Sequence, residues 1–290
     1  MATSAIRTRG LTKHFGRTVA LDGLDLEVRA GEIFGFLGPN GAGKSTTIRL
    51  LLSFLRPTRG SAEILGMPVA DVERVHRHVG YVPGDVALWP QLTGTETLHL
   101  LGRLSGRVDL AYRDELLERL QVDPSPHVRA LSRGNRQKIA LVAALQSRPD
   151  VLLLDEPTAG LDPLMEEQFQ AVARDAVARG QTIFLSSHIL DEVEDLCDRV
   201  GILRAGRLVE VAALDDLRAL HTTVVEVQLD GDVPAFDDVL GVTDVERVDG
   251  GVRLSVSGSP GPLLERLAHL PVTRLRTEEP SLEQIFLTYY

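Results

Sequence analysis

The residues with the clearest chemical role follow an apolar run at positions 33–37 and read GPNGAGKST. This text matches GxxxxGK[ST], the pattern of a phosphate-binding loop between a strand and a helix. Glycines leave no side chains in the way, so successive backbone N–H groups can close around a phosphate at the positive end of the helix. Lys44 adds a cation, and Ser45 adds a hydroxyl for Mg²⁺. The predicted nucleotide-binding residues of this loop are Gly38, Pro39, Asn40, Gly41, Ala42, Gly43, Lys44, Ser45 and Thr46.

Two adjacent carboxylates, Asp155 and Glu156, end a second apolar run at residues 151–154. An uninterrupted apolar run is typical of a strand buried on both faces of a parallel sheet, whose ligands bind at the carboxyl ends of the strands. His188 follows the predicted strand at residues 182–186 in the same way. The sequence therefore predicts that all three side chains lie at the ligand-binding edge of the sheet.

A further candidate is the segment LSRGN, in which Ser132 precedes a helix with apolar residues at positions 139, 142, 143 and 145. Serine is a preferred N-cap, and the N-terminus of a helix carries a partial positive charge. Gly134 and Asn135 would lie at that end of the helix, which is suited to binding an anion.

Apolar periodicity and turn residues predict the elements that position these residues. Alternation over residues 5–36 indicates a small antiparallel sheet, and helical spacing within residues 86–147 indicates a helical insertion. Residues 163–178 are predicted as a helix. Residues 191–198 are predicted as an acidic helix that exposes its charged face to solvent.

Phe15 lies roughly two dozen residues before the phosphate loop, where an aromatic ring could stack on a nucleotide base. A plain core phenylalanine is the alternative at this position.

Residues 221–290 differ in composition, with twelve acidic and five basic side chains in a chain of net charge -10. This acidity argues against nucleic acid as a ligand. Strand patterns with a DGG turn and helical patterns at residues 260–270 and 281–290 predict a small α+β domain. The predicted domains are therefore residues 1–220 and 221–290.

Composition sets further bounds, since the chain is 43% apolar and 25% charged, as in an ordinary globular protein. Cys197 is the only cysteine, so no intrachain disulfide can form, and its apolar setting predicts a core residue. No apolar run approaches the ~18–20 residues that cross a bilayer. We therefore do not expect the chain itself to span a membrane.

Taken in order, the motifs GPNGAGKST, YVPGD, LSRGN, VLLLDEPTAGLD and SSH resemble those of the ATP-binding cassette (ABC) ATPases that power ABC transporters. The phosphate loop alone would also fit a kinase or a GTPase. The tail EPSLEQIFLTYY is similar to that of antibiotic exporter subunits of the daunorubicin and tetronasin types, whose membrane permease is a separate chain. The implied fold is α/β, with a P-loop NTPase core of ABC type, an antiparallel β subdomain, a helical subdomain and a small C-terminal α+β domain.

The resemblance also implies ligands and residue roles. ATP and Mg²⁺ would bind, with the metal held by Ser45 and, directly or through water, by Asp155. Glu156 would polarise the attacking water, and His188 would contact the γ-phosphate and that water.

Partners are implied in the same way. Two cassettes of this family pair head to tail, so the LSRGN segment of one completes the nucleotide site of the other, and Asp162 would lie at the seam. A separate permease would convert the resulting motion into transport, with this chain peripheral at the cytoplasmic face of the cell membrane. Efflux of an antibiotic or another drug would be the function. The residues assigned to the second copy's site are Ser132, Arg133, Gly134 and Asn135.

Two positions depart from the family's usual text. The signature is LSRGN where LSGGQ is usual, and Arg133 either adds positive field for the γ-phosphate or is an exposed surface arginine. After the strand VGYVP the family has a glutamine that reaches Mg²⁺ and the water, but Gly84 stands here. Asp85 is a candidate metal ligand in its place. The alternative is that Gly84 and Asp85 form only a turn before the helical insertion.

Other functions use the same motifs. An ABC-type translation factor would normally carry two cassettes and a basic linker. A DNA-maintenance ATPase would have a long coiled coil between the phosphate loop and LSRGN, where only ~90 residues stand here. The remaining alternative is a nucleotide-dependent regulatory ATPase that is not coupled to transport. A sensor that binds ATP without turnover is disfavoured by the presence of Glu156 and His188.

Overall fold

The computed structural model describes residues 4–278, apart from residues 215, 217–222 and 232. The chain forms two compact units that divide between Val211 and Ala212, a few residues before the boundary predicted from composition. The strands that begin before the division, the last of which continues past it, are β1 Ser4–Phe15, β2 Thr18–Arg29, β3 Ile33–Leu37, β4 Arg59–Ile64, β5 Met67–Pro68, β6 Val79–Val82, β7 Val151–Asp155, β8 Thr182–Ser187, β9 Arg199–Arg204 and β10 Arg207–Ala213. The helices are α1 Lys44–Leu51, α2 Val72–His76, α3 Gly94–Ser105, α4 Leu110–Arg119, α5 Arg133–Leu145, α6 Pro163–Ala178 and α7 Leu190–Leu196.

A six-stranded sheet forms the centre of the first unit, in the order β10-β9-β3-β8-β7-β6. β8 pairs in parallel with both β3 and β7. On the outer sides, β3 pairs in parallel with β9, and β7 pairs in parallel with β6. Every residue of β3, β7 and β8 is buried, which explains why β3 and residues 151–154 of β7 carry no polar side chain. The serine hydroxyls at the end of β8 are buried too, and they donate hydrogen bonds to carboxylates. Because parallel strands end at the same edge, the segments that follow these three strands come together.

The predicted antiparallel sheet is confirmed, and its strand order is β2-β1-β4-β5. Its inward side chains, including Ile6 and Leu24, share a core with Phe34 of the central sheet and Ile48 of α1. The two sheets and the helix that follows the phosphate loop are therefore held by one continuous apolar cluster.

The predicted helical insertion contains α3, α4 and α5. The hydroxyl of Thr93 accepts a hydrogen bond from the amide of Glu96, whose carboxylate accepts one from the amide of Thr93, so α3 begins with a capping box. Asp109 caps α4 by accepting a hydrogen bond from the amide of Tyr112. Side-chain caps thus set the starts of both helices.

The second unit contains a four-stranded antiparallel sheet and a helix. Its core includes Val227, Phe236, Leu254 and Leu263. The predicted α+β character and the hairpin at the DGG turn are confirmed, while the helix predicted over residues 281–290 lies outside the described residues. The elements are β11 Thr223–Leu229, β12 Val242–Val248, β13 Gly251–Val256, α8 Gly261–Leu267 and β14 Val272–Glu278, with the sheet order β12-β13-β11-β14.

Across the part of the chain that the structure describes, no helix combines the length and the apolar character needed to cross a membrane.

Phe184 provides a test of the central core. Its ring is fully buried, with its centroid 5.9 Å from that of Phe34 and 5.2 Å from that of Phe36. Phe184→Ala should lower the free energy of unfolding by about 3–5 kcal/mol because it leaves a cavity between these rings. The control is Phe54→Ala, since Phe54 is 58% exposed and should lose about 1 kcal/mol or less. Urea titrations followed by circular dichroism measure both losses, and equal losses would contradict this account of the core.

Candidate nucleotide-binding site

The phosphate loop joins β3 to α1 through glycines that cannot be replaced without backbone movement. A Cβ on Gly38 would lie 2.5 Å from the carbonyl oxygen of Leu203, and one on Gly43 would lie 2.6 Å from that of Ala20. Gly43 also has φ +116°, in the region that favours glycine. It precedes Lys44 at the start of α1, and no side chain caps the helix there. The first amides of α1 are therefore left for an anion.

The ammonium group of Lys44 is buried within this loop. Its Nζ donates hydrogen bonds to the carbonyl oxygens of Gly38, at 2.6 Å, and of Pro39, at 3.3 Å. Burial lowers the pKa of Lys44, while the negative charges of Glu156 and Asp155 act to raise it. The negative charges of two carboxylates that are distant in sequence therefore act on the Lys44 cation.

Asp155 ends β7 with a buried carboxylate whose two oxygens have different surroundings. Oδ1 accepts a hydrogen bond of 2.5 Å from the hydroxyl of Ser186, which is fully buried. A Cβ on Gly84 would lie 3.6 Å from Oδ2, at ordinary contact distance. Gly84 thus places no side chain between its loop and this oxygen. No role was predicted for Ser186 from the sequence. The only sequence signal is that Ser186 begins the SSH motif, which includes the last two residues of β8 and His188.

The donor set suits Mg²⁺ rather than a transition metal. Ser45 offers a hydroxyl in the first turn of α1, and Asp155 offers a carboxylate oxygen. Magnesium prefers oxygen ligands and commonly keeps waters and substrate phosphates in its shell. No group of three or more His, Cys, Asp or Glu side chains that could hold a metal ion occurs among the described residues. The hydroxyl of Ser45 and the carboxylate of Asp155 are both oxygen donors, which fits the ligand preference of Mg²⁺.

Glu156 and His188 are in contact. Oε1 of Glu156 lies 3.0 Å from Nδ1 of His188, and both side chains are partly exposed. Glu156 has φ +50°, which is uncommon for a residue with a side chain, and its amide donates a hydrogen bond to the carbonyl of Ser186. This backbone conformation follows directly on the buried Asp155. The structure thus joins a carboxylate and an imidazole that the sequence predicted only to share an edge.

The LSRGN segment starts α5 as predicted. The hydroxyl of Ser132 accepts a hydrogen bond from the amide of Asn135 at 3.2 Å. Gly134 packs closely, since a Cβ there would lie 2.6 Å from the carbonyl oxygen of Gly160. Ser132 and Arg133 are exposed.

Gln137 was not identified from the sequence. It is buried, and its Nε2 donates a hydrogen bond of 2.8 Å to the carbonyl of Pro157. It therefore ties α5 to the loop that follows Glu156.

Three further predicted residues, Phe15, Asp162 and Asp85, are exposed, whereas Ala42 of the phosphate loop is buried and Thr46 is half-buried. Phe15 is 47% exposed, with Nζ of Lys13 5.0 Å from the centre of its ring, so the core alternative for Phe15 is excluded. Asp162 caps α6 by accepting a hydrogen bond from the amide of Met165. Asp85 is exposed, and its role as a metal ligand stays a prediction.

The acidic helix was predicted to expose its charged face to solvent, and Glu192 departs from this prediction in part. Glu192 is half-buried, and its carboxylate accepts hydrogen bonds from the hydroxyls of Thr158, at 2.7 Å, and Ser187, at 3.0 Å. Asp191 and Asp195 are exposed as predicted. A helical residue shares its face with the residue four positions later, and here that residue is the buried Leu196. The spacing of four between Glu192 and the apolar Leu196 was therefore the sequence signal that Glu192 is not fully exposed.

Cys197 is buried as predicted, and burial raises the pKa of its thiol. A raised thiol pKa disfavours the reactive thiolate, which agrees with a core role.

Comparisons with known proteins agree with this site. The family described as ABC transporter matches residues 21–159, and the C-terminal domain of DrrA1-3-like ATP-binding proteins matches residues 213–290. The chain is 33% identical to the daunorubicin/doxorubicin resistance ATP-binding protein DrrA of Streptomyces peucetius, over 98% of this chain and 92% of that protein. It is 35% identical to the bacitracin transport ATP-binding protein BcrA of Bacillus licheniformis, over 98% of this chain and 97% of that protein.

Among solved structures, an ATP-binding subunit of an ABC transporter matches with a TM-score of 0.69 and 32% identity, over 74% of this chain and 92% of that one. The chain therefore belongs to the ABC transporter family and is an ATPase of that family, of the exporter type. The predicted fold and the predicted resemblance to drug-exporter subunits are both confirmed.

Ser186 gives a test of the metal site. Ser186→Ala removes the hydrogen bond that orients the carboxylate of Asp155, so the Mg²⁺ concentration for half-maximal ATP hydrolysis should rise by about tenfold. The control is Ser53→Ala, which also removes a serine hydroxyl, in this case one bonded to the carbonyl of Val69. Phosphate release measured against Mg²⁺ concentration decides the matter. An unchanged Mg²⁺ dependence in Ser186→Ala would show that Asp155 does not need this hydroxyl to act on the metal.

Proposed function

We propose that this chain is the ATP-hydrolysing subunit of an exporter for antibiotics or other drugs. In this proposal it pairs with a second copy of itself when ATP binds and drives a separate membrane permease. The observation that carries the hydrolytic part is the contact between Glu156 and His188 beside the buried Asp155. The names of the relatives, which concern daunorubicin, doxorubicin and bacitracin, support the class of cargo.

The proposed chemistry assigns a task to each group. Lys44 and the loop amides bind the phosphates, with Phe15 against the base. Bound Mg²⁺, held by Ser45 and Asp155, would supply positive charge to the phosphate oxygens. Glu156 orients the attacking water and accepts its proton, and His188 fixes the carboxylate by the contact at 3.0 Å. Both side chains are partly exposed, so water can reach them.

Pairing of two copies is supported by the start of α5. Ser132 and Arg133 are exposed and lie at the N-terminus of a helix of thirteen residues, where partial positive charge favours a phosphate. Arg133 adds a full charge at the same place. Asp162, which is exposed at the start of α6, would lie at the seam between the copies.

A groove in the first unit is our proposed contact for the permease. It has a volume of about 320 Å³ and is mostly apolar. Tyr81, Val86, Trp89 and Leu101 are among its lining residues, and Trp89 is 47% exposed. The segment that lines it passes through Gly84, which lies against Asp155. A permease segment bound here would thus contact the loop next to the metal site, at the cytoplasmic face of the membrane.

The second unit is assigned an accessory role in this proposal. All proposed nucleotide and metal ligands lie between Phe15 and His188. The competing function is a regulatory ATPase without a transport partner. Stimulation of ATP hydrolysis by the permease in vesicles would favour the exporter, and unaltered hydrolysis would favour the regulator.

Replacement of Glu156 tests the hydrolytic role. Glu156→Gln should bind ATP normally but hydrolyse it about 10²- to 10⁴-fold more slowly, because the base is lost while the phosphate loop is intact. With ATP and Mg²⁺, the variant should accumulate a dimer that size-exclusion chromatography detects.

The control for this experiment is Glu167→Gln, since Glu167 is exposed on α6 and should leave the rate unchanged. Hydrolysis by Glu156→Gln at the wild-type rate would contradict the assignment. Absence of the trapped dimer would contradict the proposed pairing.

Variants of Gly84 and Asp85 test whether Asp85 is a metal ligand. If Asp85 acts where the family has glutamine, Asp85→Ala should weaken Mg²⁺-dependent turnover and its stimulation by the permease, with little change in ATP affinity. Gly84→Gln is the complementary variant, which introduces the glutamine that the resemblance implies. Its Cβ would lie 3.6 Å from Oδ2 of Asp155. ATPase rates are measured against Mg²⁺ concentration for all three proteins. Identical curves would leave residues 84 and 85 as a turn only.

A further inference from the structure

We propose that Glu192 is a positioning residue for hydrolysis, which holds the loops carrying Glu156 and His188 at a fixed separation. This inference rests on the proposed roles of Glu156 and His188. It concerns a side chain that the sequence pattern had assigned to solvent.

The two carboxylate oxygens of Glu192 bind different segments. Oε1 accepts a hydrogen bond of 2.7 Å from the hydroxyl of Thr158, and Oε2 accepts one of 3.0 Å from the hydroxyl of Ser187. Thr158 is 7% exposed and Ser187 is 2% exposed, so solvent competes little for these hydroxyls. Hydrogen bonds to an ionised acceptor are stronger than those between neutral groups. Glu192 therefore forms a bridge between the segment after β7 and the end of β8.

Each end of the bridge lies next to a member of the proposed catalytic pair. Thr158 comes two residues after Glu156, and Ser187 comes directly before His188. The hydroxyl of Ser187 also accepts a hydrogen bond of 2.9 Å from the amide of Ile189, so the backbone on both sides of His188 is tied to this hydroxyl. A movement of either segment would change the contact between Glu156 and His188.

The backbone at Glu156 makes such a restraint necessary. A φ of +50° costs energy for a residue with a side chain, and it persists only where the surroundings hold it. The amide of Glu156 is bonded to the carbonyl of Ser186, and its carbonyl accepts a hydrogen bond from the amide of Ala159 at 3.2 Å. Glu192 adds a side-chain restraint at Thr158, between these points. The strained residue is thus held from β8 and from α7.

The chemistry of Glu192 fits a bridge better than an ion pair. Among the described residues, no lysine or arginine forms an ion pair with its carboxylate, whose hydrogen-bond partners are the two hydroxyls. Burial raises the pKa of Glu166 and the charge of Glu192 adds to this rise, so the charged neighbour of Glu192 is an acid and not a base. A glutamine keeps the length of the side chain and one acceptor oxygen, whereas an alanine keeps neither. These differences define a graded series of variants.

The test compares Glu192→Ala, Glu192→Gln and Asp191→Asn in the full chain. Asp191 precedes Glu192 on α7 and is exposed, so its variant is the control. Glu192→Ala should lower kcat by about 10- to 100-fold, because small displacements of positioned groups have effects of this size. The Kd for ATP should stay within about twofold of wild type. Glu192→Gln should recover a large part of kcat, and Asp191→Asn should match wild type.

A double variant separates positioning from a general structural role. In a Glu156→Gln background, Glu192→Ala should cause no further loss of the residual rate, since no catalytic carboxylate is left to position. An equal further loss would overturn the proposal, as would a wild-type kcat in Glu192→Ala. A parallel loss of ATP affinity and kcat would also overturn it. If Glu192→Ala does not fold, the same criteria apply to Glu192→Gln, with a loss of about two- to fivefold in kcat expected.

The rate of ATP hydrolysis by Glu156→Gln distinguishes failure of the catalytic role of Glu156 from failure of the positioning role of Glu192. If Glu156→Gln hydrolyses ATP like wild type, the proposed catalytic role has failed. If Glu156→Gln is slow while Glu192→Ala is fast, only the role of Glu192 has failed.

Discussion

The parallel pairing of β8 with both β3 and β7 is the constraint on which the candidate site depends. It brings the carboxyl ends of the three strands to one edge, so that the phosphate loop, Asp155 with Glu156, and His188 leave the sheet side by side. Burial of every residue in these strands holds that edge through the core rather than through loop contacts. The apolar residues of the strands thus hold the sheet, and the polar residues at the carboxyl ends of the strands form the candidate site.

The end of β8 supports the site through three successive residues. Ser186 donates a hydrogen bond to Asp155, Ser187 donates one to Glu192, and His188 contacts Glu156. Successive side chains of a strand point to opposite faces, which explains how adjacent serines reach different carboxylates. The proposed metal ligand and the proposed positioning residue are thus supported from the same short stretch, and a shift of β8 would affect both.

Gly84 stands where the resemblance to the family had implied a glutamine. Its backbone lies against Asp155 without a side chain between them, and the same loop continues along the apolar groove. In the proposed exporter, the backbone of this loop and Asp85 are the candidate links between permease and nucleotide.

The sequence by itself determined the phosphate loop, the strand-end carboxylates, His188 and the helix cap at Ser132, because each depends on residue types and periodicity within a short segment. It also predicted the antiparallel sheet, the helical insertion and the α+β character of the second unit. Only the tertiary structure decided that Ser186 binds Asp155, that Gln137 binds Pro157, and that Glu192 turns inward. Those contacts join segments distant in the chain at separations of about 3 Å, and no local pattern specifies which side chains meet at that range. The acidic composition of α7 concealed Glu192, because charge predicts exposure for a helix on average while packing decides it for each residue.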